Sequence, residues 1–321
     1  VAVRLDEPID ASSWEAQGLI VQSASGSPVP GARVPGLRPV VAVRFDEAID
    51  AASWEARGLI VQAGSGASVA GALRYDTATR TGLWVPLVDL AAGATYALTV
   101  GPVQDEAGNR IATGDSWTLT PLSPTVLGVV PARSVLRLGE GTSLAVRLEP
   151  AATGAVVAEA RRADETAYAP LGSIELSAAG LAALEVSPAA NTYYRFSYPG
   201  TATAASATGE IRVLVRRDVR LAGLDPSVTR RIRPGTTVSL TAEVAPRTGG
   251  VRLSFRLYRL DPATGRYRYA GSFGRVTNSD GRASLAWTPT RSGNYYWRVA
   301  VLPTVDYANN VSAVHRWRVT G

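Results

Sequence analysis

The sequence predicts an all-β chain built as a string of tandem β-sandwiches, and three observations carry that expectation. Runs in which apolar and polar residues alternate, such as VAVRF, GLIVQ, ALRY, GLWVPL, TYALTV and SWTLT, recur at short spacing between Gly, Asp, Asn, Ser and Pro. A period of two buries every second side chain of a strand, and close-set turns fold each strand back on the last. Phrases also return in order along the chain, which marks repeated units. Helical periodicity is almost absent: the one helical turn expected lies at residues 50–54, DAASW, where Asp50 can accept backbone N–H bonds, and residues 10–14 repeat it.

The shortest repeat comes first. Residues 1–32, VAVRLDEPIDASSWEAQGLIVQSASGSPVPGA, and residues 41–72, VAVRFDEAIDAASWEARGLIVQAGSGASVAGA, match at about two thirds of positions. The second copy runs on into further strand-like segments, whereas the first stops at VPGLRP and the second begins. Residues 1–40 therefore read as a half-domain and 41–121 as the first complete domain, closed by Pro121-Leu122-Ser123-Pro124. A second pattern follows, LRLGEGTSLAVRLEP to GEIRVLVRR, and its order of phrases returns from TRRIRPGTTVSLTAEVAP to HRWRVTG. Residues 122–217 and 218–321 are expected to be diverged copies of one sandwich unit. The stretches Asp76 to Arg80, Asp261 to Gly265 and Asn278 to Gly281 read as hairpin connections.

Residues 41–118 resemble the bacterial Ig-like domains of the S-layer type. The resemblance is carried by VAVRFDEAID at 41–50, YDTATR at 75–80, GATY at 93–96 and DEAGN at 105–109. Residues 125–321 resemble two further bacterial surface Ig-like modules. The resemblance implies tandem Ig-like β-sandwiches in an extracellular or cell-surface setting, and it implies no catalytic residues; the leading half-repeat departs from the family.

Composition narrows the chemistry. The chain holds no Cys and a single His, so thiolate catalysis, a disulfide framework and multi-histidine zinc sites are excluded. A Ser-His-Asp triad could use only His315, which sits in the terminal strand-like run HRWRV and is expected at a surface or edge strand. Asp6-Glu7, Asp46-Glu47 and Asp105-Glu106 are neighbours, and neighbours on a strand point to opposite faces, so they do not converge as a catalytic pair. Residues 105–109 read as a turn and not as a calcium loop, because alternating acids are missing. Gly139-Glu140-Gly141 and Gly249-Gly250 lack the strand-to-helix context of a phosphate cradle. No apolar run has the length of a membrane-spanning helix, so neither membrane insertion nor a cofactor is expected, and the chain is expected to be non-enzymatic. With no Met anywhere, a processed chain is expected.

Charge is distributed unevenly. Residues 1–121 hold 8 Arg and 13 acids (−5), 122–217 hold 9 and 8 (+1), and 218–321 hold 16 and 6 (+10), which sums to the net +6. In the basic last domain Arg256, Arg259, Arg266, Arg268 and Arg298 alternate with Tyr258, Tyr267, Tyr269, Tyr296 and Trp297. Two readings follow: one sheet face presents guanidinium groups beside rings, or Tyr258, Tyr296 and Trp297 fill the core and the arginines are a solvated face. The second is favoured by residue type; under the first, Arg266, Tyr267, Arg268 and Tyr269 are the candidate contacts for an anionic polysaccharide. No nucleic-acid motif is present. The half-domain needs a partner for its strand edges, and three completions are open: packing on its own chain beside the strands that follow, insertion into a second copy, or contacts that merely order the remainder of a domain cut away upstream. The second is the expectation, joining copies head to tail by strand addition and by the charge gradient into a homo-oligomer or filament.

Overall fold

The computed structural model describes residues 19–20, 32–45, 48–110 and 116–321. The first sandwich comprises β1 (Leu19–Ile20), β2 (Ala32–Pro35), β3 (Val40–Arg44), α1 (Ala51–Arg57), β4 (Leu59–Ala63), β5 (Gly71–Asp76), β6 (Thr81–Pro86), β7 (Tyr96–Val100) and β8 (Ser116–Leu122). Its two sheets run β1-β3-β6-β5 and β2-β8-β7-β4. Strict alternation explains the arrangement: Gly82, Trp84 and Pro86 of β6 are buried while Thr81, Leu83 and Val85 are half-buried. The expected helical turn is present, with the Asp50 carboxylate accepting from the N–H groups of Ala52 and Ser53. Its purpose is to plant Trp54, 0% exposed, in the middle of the core. Only glycine fits beside it: a Cβ at Gly58 or Gly82 would overlap the Trp54 indole.

The leading segment does not stand apart from this domain where it is described. β2 pairs in parallel with β8, Ala32 opposite Leu119, and β1 pairs in parallel with β3, Leu19 opposite Val40. Val34 joins the buried core. The strand edge that the sequence left open at residues 32–35 is thus taken up within the same chain. Residues 1–18 and 21–31, on which the rest of the expected arm falls, lie outside the described residues.

The second sandwich comprises β9 (Val126–Pro131), β10 (Val135–Arg137), β11 (Thr142–Glu149), β12 (Gly154–Arg162), β13 (Ala169–Leu176), β14 (Leu181–Val186), β15 (Thr192–Tyr198) and β16 (Ala207–Arg216). The third comprises β17 (Asp218–Leu221), β18 (Arg230–Ile232), β19 (Val238–Ala245), β20 (Arg252–Asp261), β21 (Arg266–Val276), β22 (Arg282–Trp287), β23 (Gly293–Val301), β24 (Asn310–Val311) and β25 (His315–Val319). Their sheets correspond strand for strand: β14-β11-β9 with β22-β19-β17, and β10-β16-β15-β12-β13 with β18-β25-β23-β20-β21, β24 being an extra strand on β23. The ladder even slips at the same place, between Ala158 and Glu159 and again between Leu257 and Tyr258, opposite Gly172 and Gly271, whose positive φ permits the bulge. The hairpin reading holds for residues 76–80 and 261–265. It fails for Asn278 to Gly281, which joins β21 to β22 in the other sheet. Among the described residues no helix is long and apolar enough to cross a membrane.

Candidate functional site

Two arrangements have the geometry of a working part: the junctions between sandwiches, and the outer face of the largest sheet.

At both junctions the same loop of the following sandwich returns to hold the strand that leads into it. Between the first two, Ser123 forms a parallel bridge with Ala204: its N–H donates to Thr203 O (2.8 Å) and its carbonyl accepts from Ala205 N (2.9 Å). The first sandwich grips the same loop, since an Arg33 guanidinium nitrogen donates to Thr201 O (2.5 Å). Between the second and third, Arg216 bridges Ala308 in parallel, and Ala308 N donates to Val215 O (2.8 Å). Here Asn191, 1% exposed, spans the joint. Its backbone N–H donates to Asp306 O (2.7 Å), its Nδ2 to Val305 O (2.8 Å), and its Oδ1 accepts from Val215 N (2.8 Å). An Arg162–Asp306 ion pair at 3.6 Å and the Arg217 guanidinium, 4.2 Å from the centre of the Tyr307 ring, close the sides. Burial lowers the pKa of Arg217, opposed by Tyr307 and Asp306. No sequence motif announces either joint; the signal is only that residues 199–206 and 302–309 hold corresponding places in the two repeats.

The outer face lies on β20, β21, β23 and β25. Inward positions Phe255, Trp297, Val299 and Trp317 form the core. Tyr258 and Tyr296 are one position out of phase with them and so face outward, which corrects the expectation that they fill the core; only Trp297 does. Tyr269, Tyr258, Tyr296 and Arg316 lie in one row across four strands. The rings of Tyr258 and Tyr296 stack at 4.5 Å, Tyr269 meets Tyr258 edge-on at 5.7 Å, and Tyr267 tilts against Tyr296 at 4.8 Å. Desolvation by neighbouring groups and the nearby Tyr258 raise the Tyr296 pKa.

Of the four candidate contacts, the sheet brings together only two. Tyr267 and Tyr269 share the outer face, but Arg266 and Arg268 lie at the alternate positions and point the other way, where Arg268 Nε pairs with Asp261 at 2.8 Å. Alternation along a strand made this unavoidable, and the linear spacing hid it. The cations that do accompany the tyrosines come from neighbouring strands: Arg256 lies directly opposite Arg298 in the row beside them, and Arg316 and Arg318 follow on β25. The buried Nε of Arg298 has no hydrogen-bond partner. Two arginines opposite each other in register, neither forming an ion pair among the described residues, suit an anionic ligand.

The other sequence candidates resolve plainly. His315 is buried opposite Trp297 and not at a surface; burial and Arg230 lower its pKa, with Asp225 opposing. Asp105 uses its carboxylate on Asn109, accepting from the backbone N–H and from Nδ2 at 2.7 Å each, which closes a turn and lowers its pKa. Among the described residues no three His, Cys, Asp or Glu side chains gather as metal ligands.

This β-sandwich build is shared with known proteins. Residues 20–120 match the model of the bacterial Ig-like domain family, and that segment is a bacterial Ig-like domain. The match starts ahead of residue 41, in keeping with the pairing of β1 and β2. No curated protein matches the sequence. Among solved structures, the native α2-macroglobulin of Escherichia coli aligns at 11% identity and a TM-score of 0.28 over 90% of this chain, which spans 22% of that protein. The N-terminal part of the bacterial S-layer protein SbsC aligns at 14% and 0.26, over 64% of this chain and 46% of that one. A bacterial ice-binding adhesin structure aligns at 12% and 0.25, over 90% and 100%.

Proposed function

We propose that the chain is a non-enzymatic structural subunit of a bacterial cell-surface layer or appendage, working as a stiffened stalk. The observation that supports this best is the junction device, built twice from corresponding loops. Sandwiches joined by bare linkers move independently by default. A bridge on each linker together with buried Asn191 removes that freedom, and a chain that transmits force or fixes spacing gains from the loss. Spin labels on β13 and β21 test it: a narrow distance distribution is expected, broadened in Asn191→Ala, and a broad distribution in the unaltered chain would remove the proposal.

Head-to-tail assembly belongs to the same reading, motivated by the −5 and +10 ends and by the leading segment. Deleting residues 1–31, which spares β2 and β3, and following sedimentation tests it; assembly unchanged by the deletion would exclude strand donation, and assembly lost only in high salt would assign the joint to charge.

A second reading is favoured by the tyrosine row and its arginines: the third sandwich binds an acidic polysaccharide. Binding on a glycan array that is abolished by Arg298→Glu and by Tyr269→Ala supports it. Equal binding by both variants excludes it.

A further inference from the structure

We infer that residues 1–29 are a second, interchangeable copy of the segment that completes the first sandwich, able to take the place of residues 41–69. The socket that receives this segment is formed by β6, β7 and the turn near Gln104. In the structure it is filled by β3, α1 and β4.

All but one of the buried side chains the socket reads recur in the first copy. The buried residues Val41, Val43, Ile49, Trp54, Leu59 and Val61 have Val1, Val3, Ile9, Trp14, Leu19 and Val21 as counterparts. Asp50, which caps α1, corresponds to Asp10. Ser53, whose hydroxyl donates to Asp50 O (2.8 Å) and accepts from Gln104 N (3.0 Å), corresponds to Ser13. Gly58, where a Cβ would overlap the Trp54 ring, corresponds to Gly18, and Gly66, which needs its positive φ, to Gly26. Among the buried positions only Phe45 differs, being Leu5 in the first copy, and this trims a side chain without adding bulk. The remaining differences sit at exposed or half-buried positions.

The backbone allows the exchange as well. Residues 64–68, between β4 and β5, are exposed, so the displaced copy can leave the domain there as a long excursion before β5 begins at Gly71. Long surface excursions cost little, since loop-closure entropy grows only with the logarithm of length. Pro28 falls at the position of Ser68, whose N–H takes no part in the hydrogen bonds described around this turn. The pairing of β2 with β8 favours the frame that the structure holds, and the other frame becomes the lower one when the second copy is damaged.

Paired substitutions in the full chain test the inference by hydrogen exchange. Trp54→Ala is expected to leave β6 and β7 protected, while protection passes from residues 41–62 to residues 1–22. Trp14→Ala is expected to change nothing in the socket, and the double variant to lose protection throughout the first sandwich. Gly58→Val, Gly18→Val and their combination should repeat the pattern. A single second-copy variant indistinguishable from its double variant in both series, folded or unfolded, overturns the inference, because the first copy would then contribute nothing.

Discussion

Asn191→Ala isolates what the second junction contributes. The side chain is buried and makes two hydrogen bonds of 2.8 Å, one to Val215 N–H and one to Val305 O, while its backbone bond to Asp306 O survives the substitution. Val215 is itself fully buried, so its N–H is left without a partner, a loss of about 1–3 kcal/mol; the Val305 carbonyl loses an ordinary bond, about 1 kcal/mol. Together the variant should lose roughly 2–4 kcal/mol. The loss should appear in urea unfolding of the second sandwich, assigned by the exchange of amides in β15 and β16. A control, Asp280→Ala on an exposed turn, should shift by less than about 0.5 kcal/mol. If Asn191→Ala shifts no more than that control, the junction is a crossing point of two loops and not a restraint, and the stalk reading loses its support.

Three further outcomes follow from the packing and the charges. Gly82→Ala pushes a methyl group into the Trp54 indole and should destabilise the first sandwich by about 1–3 kcal/mol in thermal unfolding, leaving the other two transitions in place. Because the folded pKa of His315 lies below its unfolded value of about 6.5, the unfolded chain binds the proton first. Stability of the third sandwich should therefore be fully present above that pH and decline as pH falls below it; His315→Gln should flatten this slope between pH 7 and 5. Tyr194, whose pKa burial raises to about 12, should stay protonated through pH 10 to 11, so spectrophotometric titration should find it among the last tyrosines to ionise, and stability is expected to fall as pH rises from about 10 toward 12.

The sandwiches were legible because period-two alternation fixes which face of each strand is buried. LAVRLE and LTAEVA give their inward sets directly, and Leu144, Val146 and Leu148 match Leu240, Ala242 and Val244 in the core. The cap at Asp50 was equally open to reading, since it depends on neighbours in sequence. What depended on the partner strand was not. Arg256 and Arg298 are far apart in sequence and meet only through the register of β20 and β23. The tyrosines were harder still: Tyr295 and Tyr296 are adjacent and chemically alike, yet one is core and the other surface, and a one-residue choice of phase decides which. Asn191 gave no sign at all, because a lone Asn before a strand is common and its partners come from residues 215, 305 and 306.

The two repeats in this chain have diverged at different depths, and that separates packing from function. Between the second and third sandwiches the inner faces agree while the outer face of the smaller sheet does not. In the third it carries a polar ladder, with Glu243 between Arg220 and Arg282 at 2.8 and 2.5 Å and Thr241 bonded to Ser284 at 2.9 Å. At the same register the second sandwich places Gly128, Arg147 and Leu181, and Ala145 beside Ala183, with Val126 and Val130 strongly exposed. One fold thus supports a charged ladder on one face and, on the other, valines and alanines around the Arg147–Glu149 ion pair with no change to its core, so the core cannot be what assigns either domain its task. The leading repeat is the opposite case: the residues that form the interior, cap and glycine positions of the second copy recur in it almost whole, and the Ala72-Leu73-Arg74-Tyr75 continuation into β5 is replaced by Ala32-Arg33-Val34-Pro35. That replacement turns the same stretch from an antiparallel neighbour of β6 into a parallel neighbour of β8, with Arg33 reaching the second sandwich. A segment that repeats the second copy's residues at its buried, capping and glycine positions but changes its exit is suited to joining one domain to the next.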